Sequence, residues 1–236
     1  MQRVIPASGT AAERLEDVGE AYDGEGNLGG PEFRSATGDP GLRFTAKEEG
    51  RYRVTVRDQA SLANASLHRG YLLRIRTPAP DFRLSAMPVT PVSTAKDSKE
   101  TKIGPALLRS GGTLALRVYA HRLEGFDSEI QVRAEGLPPG VSSAGCTLRG
   151  DARSGLLLLH AAKSVTNWAG AIRILGRAGD KEREARGVSQ VWSTGNFETD
   201  PPLTRVARSI AVAVSGEDPT PVALGVSGGG PLEIPA

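Results

Sequence analysis

The sequence predicts an all-β chain built as tandem antiparallel β-sandwiches, and three observations carry that prediction. The first is a period-two alternation, clearest from Gly50 to Arg57. Tyr52, Val54 and Val56 fall on one face there, and Arg51, Arg53, Thr55 and Arg57 on the other, as in a strand buried on one side. The second is dense punctuation: 29 glycines and 16 prolines in 236 residues, with aromatic content of 5%. Such a composition weakens helix interiors and favours short strands joined by turns. The third is spacing, because alternating runs recur at intervals of about ten residues, the sequence form of an immunoglobulin-like or fibronectin-like sandwich.

Taken in order, residues 1 to about 40 read as loop, with GEGNLGGPEF as a glycine-rich centre and Thr37-Gly38-Asp39-Pro40 as a turn. Leu42 and Phe44 start the regular pattern and Gly50 to Arg57 forms the first clear strand. After a polar stretch from Asp58 to Gly70, Tyr71, Leu73 and Ile75 alternate with Leu72, Arg74 and Arg76. This run is the expected antiparallel partner, which makes Gly50 to Arg57 a central strand. Thr77-Pro78-Ala79-Pro80 stops it, since proline cannot donate to a ladder. The first module therefore spans 1–80.

The second module spans 81–192. Its strands are expected at Phe82 to Ala86, Leu114 to Tyr119, Ile130 to Glu135, Gly145 to Leu148, Leu156 to His160, Ala171 to Leu175 and near Glu182 to Val191. Gly136 to Val141 is expected as a sharp turn, and Ser93 to Thr101 as an exposed loop. Beyond Trp192 the pattern loosens, and Ile210, Val212 and Val214 suggest one more strand. Residues 193–236 are thus expected to be a linker and the first strand of a further module.

Net charge is +2, too small to imply a nucleic-acid partner. The positive charge is uneven: seven arginines lie between Gly50 and Leu84 against two acids, Asp58 and Asp81. Arg51, Arg53, Arg57, Arg74 and Arg76 are the candidate binding residues, a sheet face able to hold an anionic glycan or an acidic protein surface. The plainer reading is a solvated face with charges that discourage aggregation. Cys146 is alone, so neither a disulfide within the chain nor a multi-cysteine metal site is expected. In its strand it reads as a small buried hydrophobe. The N-terminus lacks an apolar run of signal-peptide length, and Leu156 to Leu159 is too short to span a bilayer. A complete protein of this sequence would be cytoplasmic, whereas in a fragment the export signal would lie upstream.

GDPGLRFTAKEEGRYRVTVRD, followed by YLLRIRTPAPDF, resembles the second half of a bacterial pre-peptidase C-terminal domain. Asp39-Pro40, Gly50-Arg51-Tyr52 and Tyr71-Leu72-Leu73 occupy the places of its Asp-Pro turn and of two of its strands. The following segment is similar to the immunoglobulin-like modules of large exported bacterial proteins, through Gly125-Phe126, Glu129-Ile130 and Gly136 to Val141. The resemblance covers roughly Asp17 to Arg186. The family's opening strands have little room before Asp17, which points to a fragment. The resemblance implies a non-catalytic accessory sandwich, extracellular or at the cell surface, that binds, spaces or assists a fused enzyme domain.

Asp23, Glu25 and Asn27 stand at alternate positions of a glycine-rich loop, with Glu32 further on. Oxygen ligands in this pattern suit calcium, and some domains of the resembled family bind calcium near acidic loops. A polar surface loop is the plainer reading. Gly24 to Gly29 fits G-x-G-x-x-G but lacks the buried strand before it and the helix after it. Gly225 to Gly229 fits G-x-S-x-G, but no histidine follows to complete a nucleophile elbow. His68, His121 and His160 are dispersed and form no ligand motif. Tyr119, Trp168 and Trp192 could stack on sugars if exposed, or pack at the rim of a sandwich.

These readings predict a non-catalytic binding or spacer module that presents sheet faces and loops to a polysaccharide, a protein surface or a fused enzyme domain. The alternatives are a calcium-stabilised accessory domain of a secreted peptidase or other hydrolase, and a hydrolase whose site is scattered over loops.

Overall fold

The computed structural model describes residues 1–22, 33, 39–57, 70–89, 106–192 and 203–217. Among them the fold is all-β, with no helix, as period-two patterning and dense glycine and proline require. No helix among the described residues is long and apolar enough to cross a membrane.

Three short strands form the first sheet: β1 (Gln2–Ile5), β2 (Arg14–Asp17) and β3 (Arg51–Arg53), in the order β2-β1-β3. Two of them lie where only loop is expected. β1 sits between its partners, pairing Val4 with Leu15 on one side and with Arg51 on the other. The long strand expected at Gly50 to Arg57 is reduced to three residues on the sheet edge, and Val54 and Val56 are exposed. Tyr71 to Arg76 forms no strand, although its alternation is strict. Instead its end is tied to a corner of the following sheet. Arg76 pairs with Glu124, which also accepts the Ala79 N–H, so the proline-rich stretch holds the segment away from β3.

The remaining strands form two larger sheets. They are β4 (Asp81–Pro88), β5 (Leu107–Arg109), β6 (Thr113–Leu123), β7 (Ile130–Glu135), β8 (Val141–Ser142) and β9 (Cys146–Leu148). After them come β10 (Ser154–Ala161), β11 (Trp168–Ala178), β12 (Lys181–Glu184), β13 (Arg186–Trp192), β14 (Leu203–Ala207) and β15 (Ile210–Ser215). One sheet has the order β14-β13-β4-β6-β10-β8, and the other β5-β15-β11-β7-β9 with β12 also on β11. Most pairs are antiparallel, but β13 runs parallel to β4 and β5 parallel to β15.

Both sheets feed one buried cluster. Phe82, Leu84, Leu116, Val118, Leu157 and Leu159 come from the first, and Leu108, Ile130, Ile172, Ile174 and Val212 from the second. Each such side chain contributes about 1.5–3 kcal/mol when fully buried, so this cluster is the principal source of stability. At Gly176 of β11 the two sheets leave no room for a side chain. A Cβ there would lie 2.9 Å from Ile130 Cγ2 and nearer still to Leu84 Cδ1.

Two features depart from the expected organisation. The run near Glu182 to Val191 is not one strand but two, divided at the buried Ala185. β12 stays on β11 while β13 crosses to β4, and the Ala185 N–H still donates to Ile174 O at 2.7 Å. The strand at Ile210 does not open a further module. It pairs with β11 from Trp168↔Val214 to Ile172↔Ile210 and buries Ile210, Val212 and Val214 in the shared cluster. The expected turn between strands does form at Gly136 to Gly140. Gly140 has φ +82°, a conformation side chains other than glycine rarely adopt, and the Val141 N–H donates to Pro138 O.

Candidate functional site

The five arginines expected to share one sheet face do not do so. Arg51 and Arg53 leave β3 on the same side, and Arg51 is 3.3 Å from Glu13. Arg57 lies beyond the strand, and Arg74 and Arg76 belong to no strand. Arg76 is further neutralised by Glu124. Behind β3, Tyr52 stacks edge-on to Phe44 at 5.2 Å and donates its hydroxyl to Glu48 O, which steadies this small sheet. The candidate calcium residues Asp23, Glu25, Asn27 and Glu32 lie outside the described residues, as do His68 and the G-x-S-x-G stretch.

Side chains able to do chemistry are dispersed. His121 is half-buried near the end of β6, and burial together with Arg83 pushes its pKa below the ordinary imidazole value. His160 of β10 is exposed, and its Nδ1 is 3.3 Å from Thr113 Oγ1 at the start of β6. Eight residues of β6 separate Thr113 from His121, which is about 26 Å at strand rise, so the two histidines cannot share a metal or a reacting atom. Burial raises the Cys146 thiol pKa and keeps it protonated, as suits a side chain packed against the shared cluster. Among the described residues no group of three His, Cys, Asp or Glu is placed to hold a metal ion. Tyr119 is buried and Trp168 half-buried against the cluster, so neither is an open platform for a sugar. The side chain of Trp192 lies outside the described residues.

The built surfaces are instead the outer faces of the two large sheets. On the sheet containing β7, β11 and β12, Arg133 reaches Glu135 at 2.9 Å and Glu182 at 3.0 Å. Arg173 lies 3.3 Å from Glu184 and 3.6 Å from Glu135. β11 runs between these partners, and its outward Leu175 is only 3% exposed although it belongs to neither apolar cluster. Arg133 and Glu184 stand directly beside it in the register, a placement in which long charged side chains shield an apolar neighbour with their aliphatic stems. Their contacts raise the Arg133 pKa above its ordinary value, chiefly through Glu182 and Glu135.

The outer face of the other sheet carries a second, smaller apolar cluster of Met87, Tyr119, Val188 and Phe33. Met87 lies on β4, Tyr119 on β6 and Val188 on β13, while Phe33 comes from the N-terminal segment. Its ring sits 5.8 Å from that of Tyr119. This face accepts an aromatic side chain from a segment outside the sheet.

The two sheets are also joined at their polar margin. Arg183 of β12 meets Asp81 of β4 at 3.0 Å, and Lys181 donates to Pro80 O at 2.8 Å. Arg183, with the Phe82 N–H, lowers the Asp81 pKa below the usual carboxylate value.

A comparison with protein-family models returns no match, and no curated protein matches the chain.

Proposed function

We propose that the chain is a non-catalytic binding or spacer module of an exported or cell-surface multidomain protein. In this reading the two large sheets form an immunoglobulin-like sandwich that presents its faces and loops to a protein surface, a polysaccharide or a fused enzyme domain. The strand order supports the sandwich: β6 pairs with β10, β7 with β11, β11 with β15, and the short β5 runs parallel to β15. Such alternation between two sheets that share a core is the habit of immunoglobulin-like domains. The resemblance of the sequence to modules of exported bacterial proteins motivates the location.

The observation that carries the functional reading is the contrast between dispersed chemistry and ordered surfaces. His121, His160 and Cys146 are each engaged singly, whereas the sheet faces carry an arranged charge ladder and a seated aromatic ring. The test is to assay the purified chain against peptidase and glycosidase substrates and, in parallel, for saturable binding to arrayed glycans and peptides. Binding without turnover is expected. Turnover that disappears in His121→Ala or His160→Ala would overturn the proposal.

A further inference from the structure

We propose that the outer face of the β14-β13-β4-β6-β10-β8 sheet is a docking surface for an acidic peptide segment of another protein, one in which carboxylates alternate with apolar side chains. The inference names the partner and the face for the binding module proposed above, and so rests on that reading.

Strand parity defines the face. Phe82, Leu84 and Ala86 point into the shared cluster, as do Leu116, Val118 and Ala120. Arg83, Ser85 and Met87 therefore point outward from β4, and Arg117, Tyr119 and His121 from β6. The register sets Arg83 beside His121 and Met87 beside Arg117. On the other side of β4, Arg186 of β13 stands beside Ser85. Gly187 faces Ala207, the last residue of β14, so Arg186 stands at the end of this pairing. Three arginines and a histidine thus occupy neighbouring strands about 4.8 Å apart.

Their electrostatic situation differs from that of the opposite sheet. There, Arg133 and Arg173 are neutralised by three glutamates. Here, none of Arg83, Arg117 and Arg186 makes an ion pair with a described residue. Asp81, the outward carboxylate of β4, is taken by Arg183 from the other sheet. Arg186 stands diagonally across from Arg83 on the next strand, within reach of mutual repulsion between long cationic side chains, and burial, with the charge of Arg83 after it, lowers the His121 pKa. An anionic partner relieves that repulsion.

Apolar neighbours on the same face decide what kind of anion fits. Leu156 stands beside Arg117, Leu158 beside Ala115 and Val206 beside Val188. These three are 48%, 49% and 61% exposed. They flank the seat in which Phe33 packs on Met87, Tyr119 and Val188. A sulfated or uronic polysaccharide would satisfy the arginines and leave the aliphatic band wet. A peptide with carboxylates at alternate positions would satisfy both, with charge supplying orientation and rate and the apolar side chains supplying desolvation.

The test measures binding of the whole chain to a fluorescent peptide of alternating glutamate and valine. A polyglutamate peptide of equal length and dextran sulfate are the comparison probes. The alternating peptide is expected to bind saturably, more tightly than either comparison probe and more weakly as salt rises. Affinity should fall roughly tenfold or more in Arg83→Glu/Arg186→Glu and fall again in Leu156→Ser. It should be unchanged in Arg109→Glu/Arg177→Glu, which alters net charge equally away from this face. Thermal melts of each variant exclude loss of fold. Equal binding of polyglutamate or dextran sulfate overturns the peptide assignment in favour of charge alone, and loss only in Arg51→Glu/Arg53→Glu moves the site to the small sheet. Absence of peptide binding overturns this inference, and binding of another arrayed ligand would then leave the module reading standing. Turnover of a substrate would remove that reading as well.

Discussion

Removing the Arg122 guanidinium should destabilise the chain by about 3 kcal/mol, because this one side chain reaches two loops from the end of β6. Its Nη1 donates to Ser128 O at 2.6 Å, and its Nη2 to Arg149 O at 2.5 Å and Leu148 O at 3.3 Å. The guanidinium also lies 5.6 Å from the centre of the buried Phe126 ring. Burial lowers its pKa, while Asp127 and Asp151 raise it, as expected of a cation partly withdrawn from water and held by local oxygens. Bonds from a charged donor contribute about 1.5–3 kcal/mol each. The lower value is appropriate here, since water can rehydrate carbonyls at the loop surface. The two short bonds then account for about 3 kcal/mol, and the contact with the ring adds about 0.5 kcal/mol. For a chain of 236 residues each kcal/mol moves Tm by about 2–4 °C, so Arg122→Ala should melt roughly 7–14 °C lower in a calorimetric or circular-dichroism scan. Arg122→Lys keeps the charge but not the fork that reaches both loops, and should recover less than half of the loss. An Arg122→Ala protein that melts within about 2 °C of the parent, or a lysine variant that melts with it, would refute the clamp.

Two further perturbations probe the junction of the sheets. Gly176→Ala inserts a methyl group against Leu84 and Ile130 and should cost about 1–3 kcal/mol by overpacking, read as a lower denaturant midpoint with unchanged slope; Leu84→Ala in the same chain should relieve part of that cost. Asp81 has its pKa lowered by Arg183, so the stability gained from the pair is present above the unfolded carboxyl value of about 3.9 and is lost as pH falls through the lower folded value. Parent and Asp81→Asn should therefore differ near neutral pH and converge in acid. The neutral-pH difference should be no more than about 1 kcal/mol for so exposed a pair, and one that grows in acid would contradict the assignment.

What the sequence made legible is the part of the fold that lies in long alternating runs. β7 occurs where Ile130, Val132 and Ala134 alternate, and β4, β6, β10, β11 and β15 each contain the run expected there. Of the short elements β9 lies where a strand is expected, but β1, β5, β8 and β14 were not legible, because they hold between two and five residues and too few positions to establish a period. Partnership was not legible either. Alternation states which side of a strand is buried, not what lies beside it, so Tyr71 to Arg76 could match Gly50 to Arg57 in pattern and still be held by Glu124. The break at Ala185 was hidden for the same reason: both halves of the run are strands, and only the partners on either side reveal the change of sheet. The surface arginines show the limit most clearly. Arg51 to Arg76 attract attention because they are close in sequence, whereas Arg83, Arg117 and Arg186 are dispersed and become neighbours through pairing across β4, β6 and β13. Outward parity on β4 and β6 was the available signal, but it cannot identify which strand brings the next charge.

Hydrogen exchange on the intact chain, with and without the alternating glutamate and valine peptide, locates the binding face without altering a residue. Added protection should fall on β4, β6 and β13, with the β7–β11–β12 face unchanged. Protection confined to β3 and the segment from Tyr71 to Arg76, or shared evenly between the two large sheets, would contradict the claim that this protein works through one unneutralised sheet face.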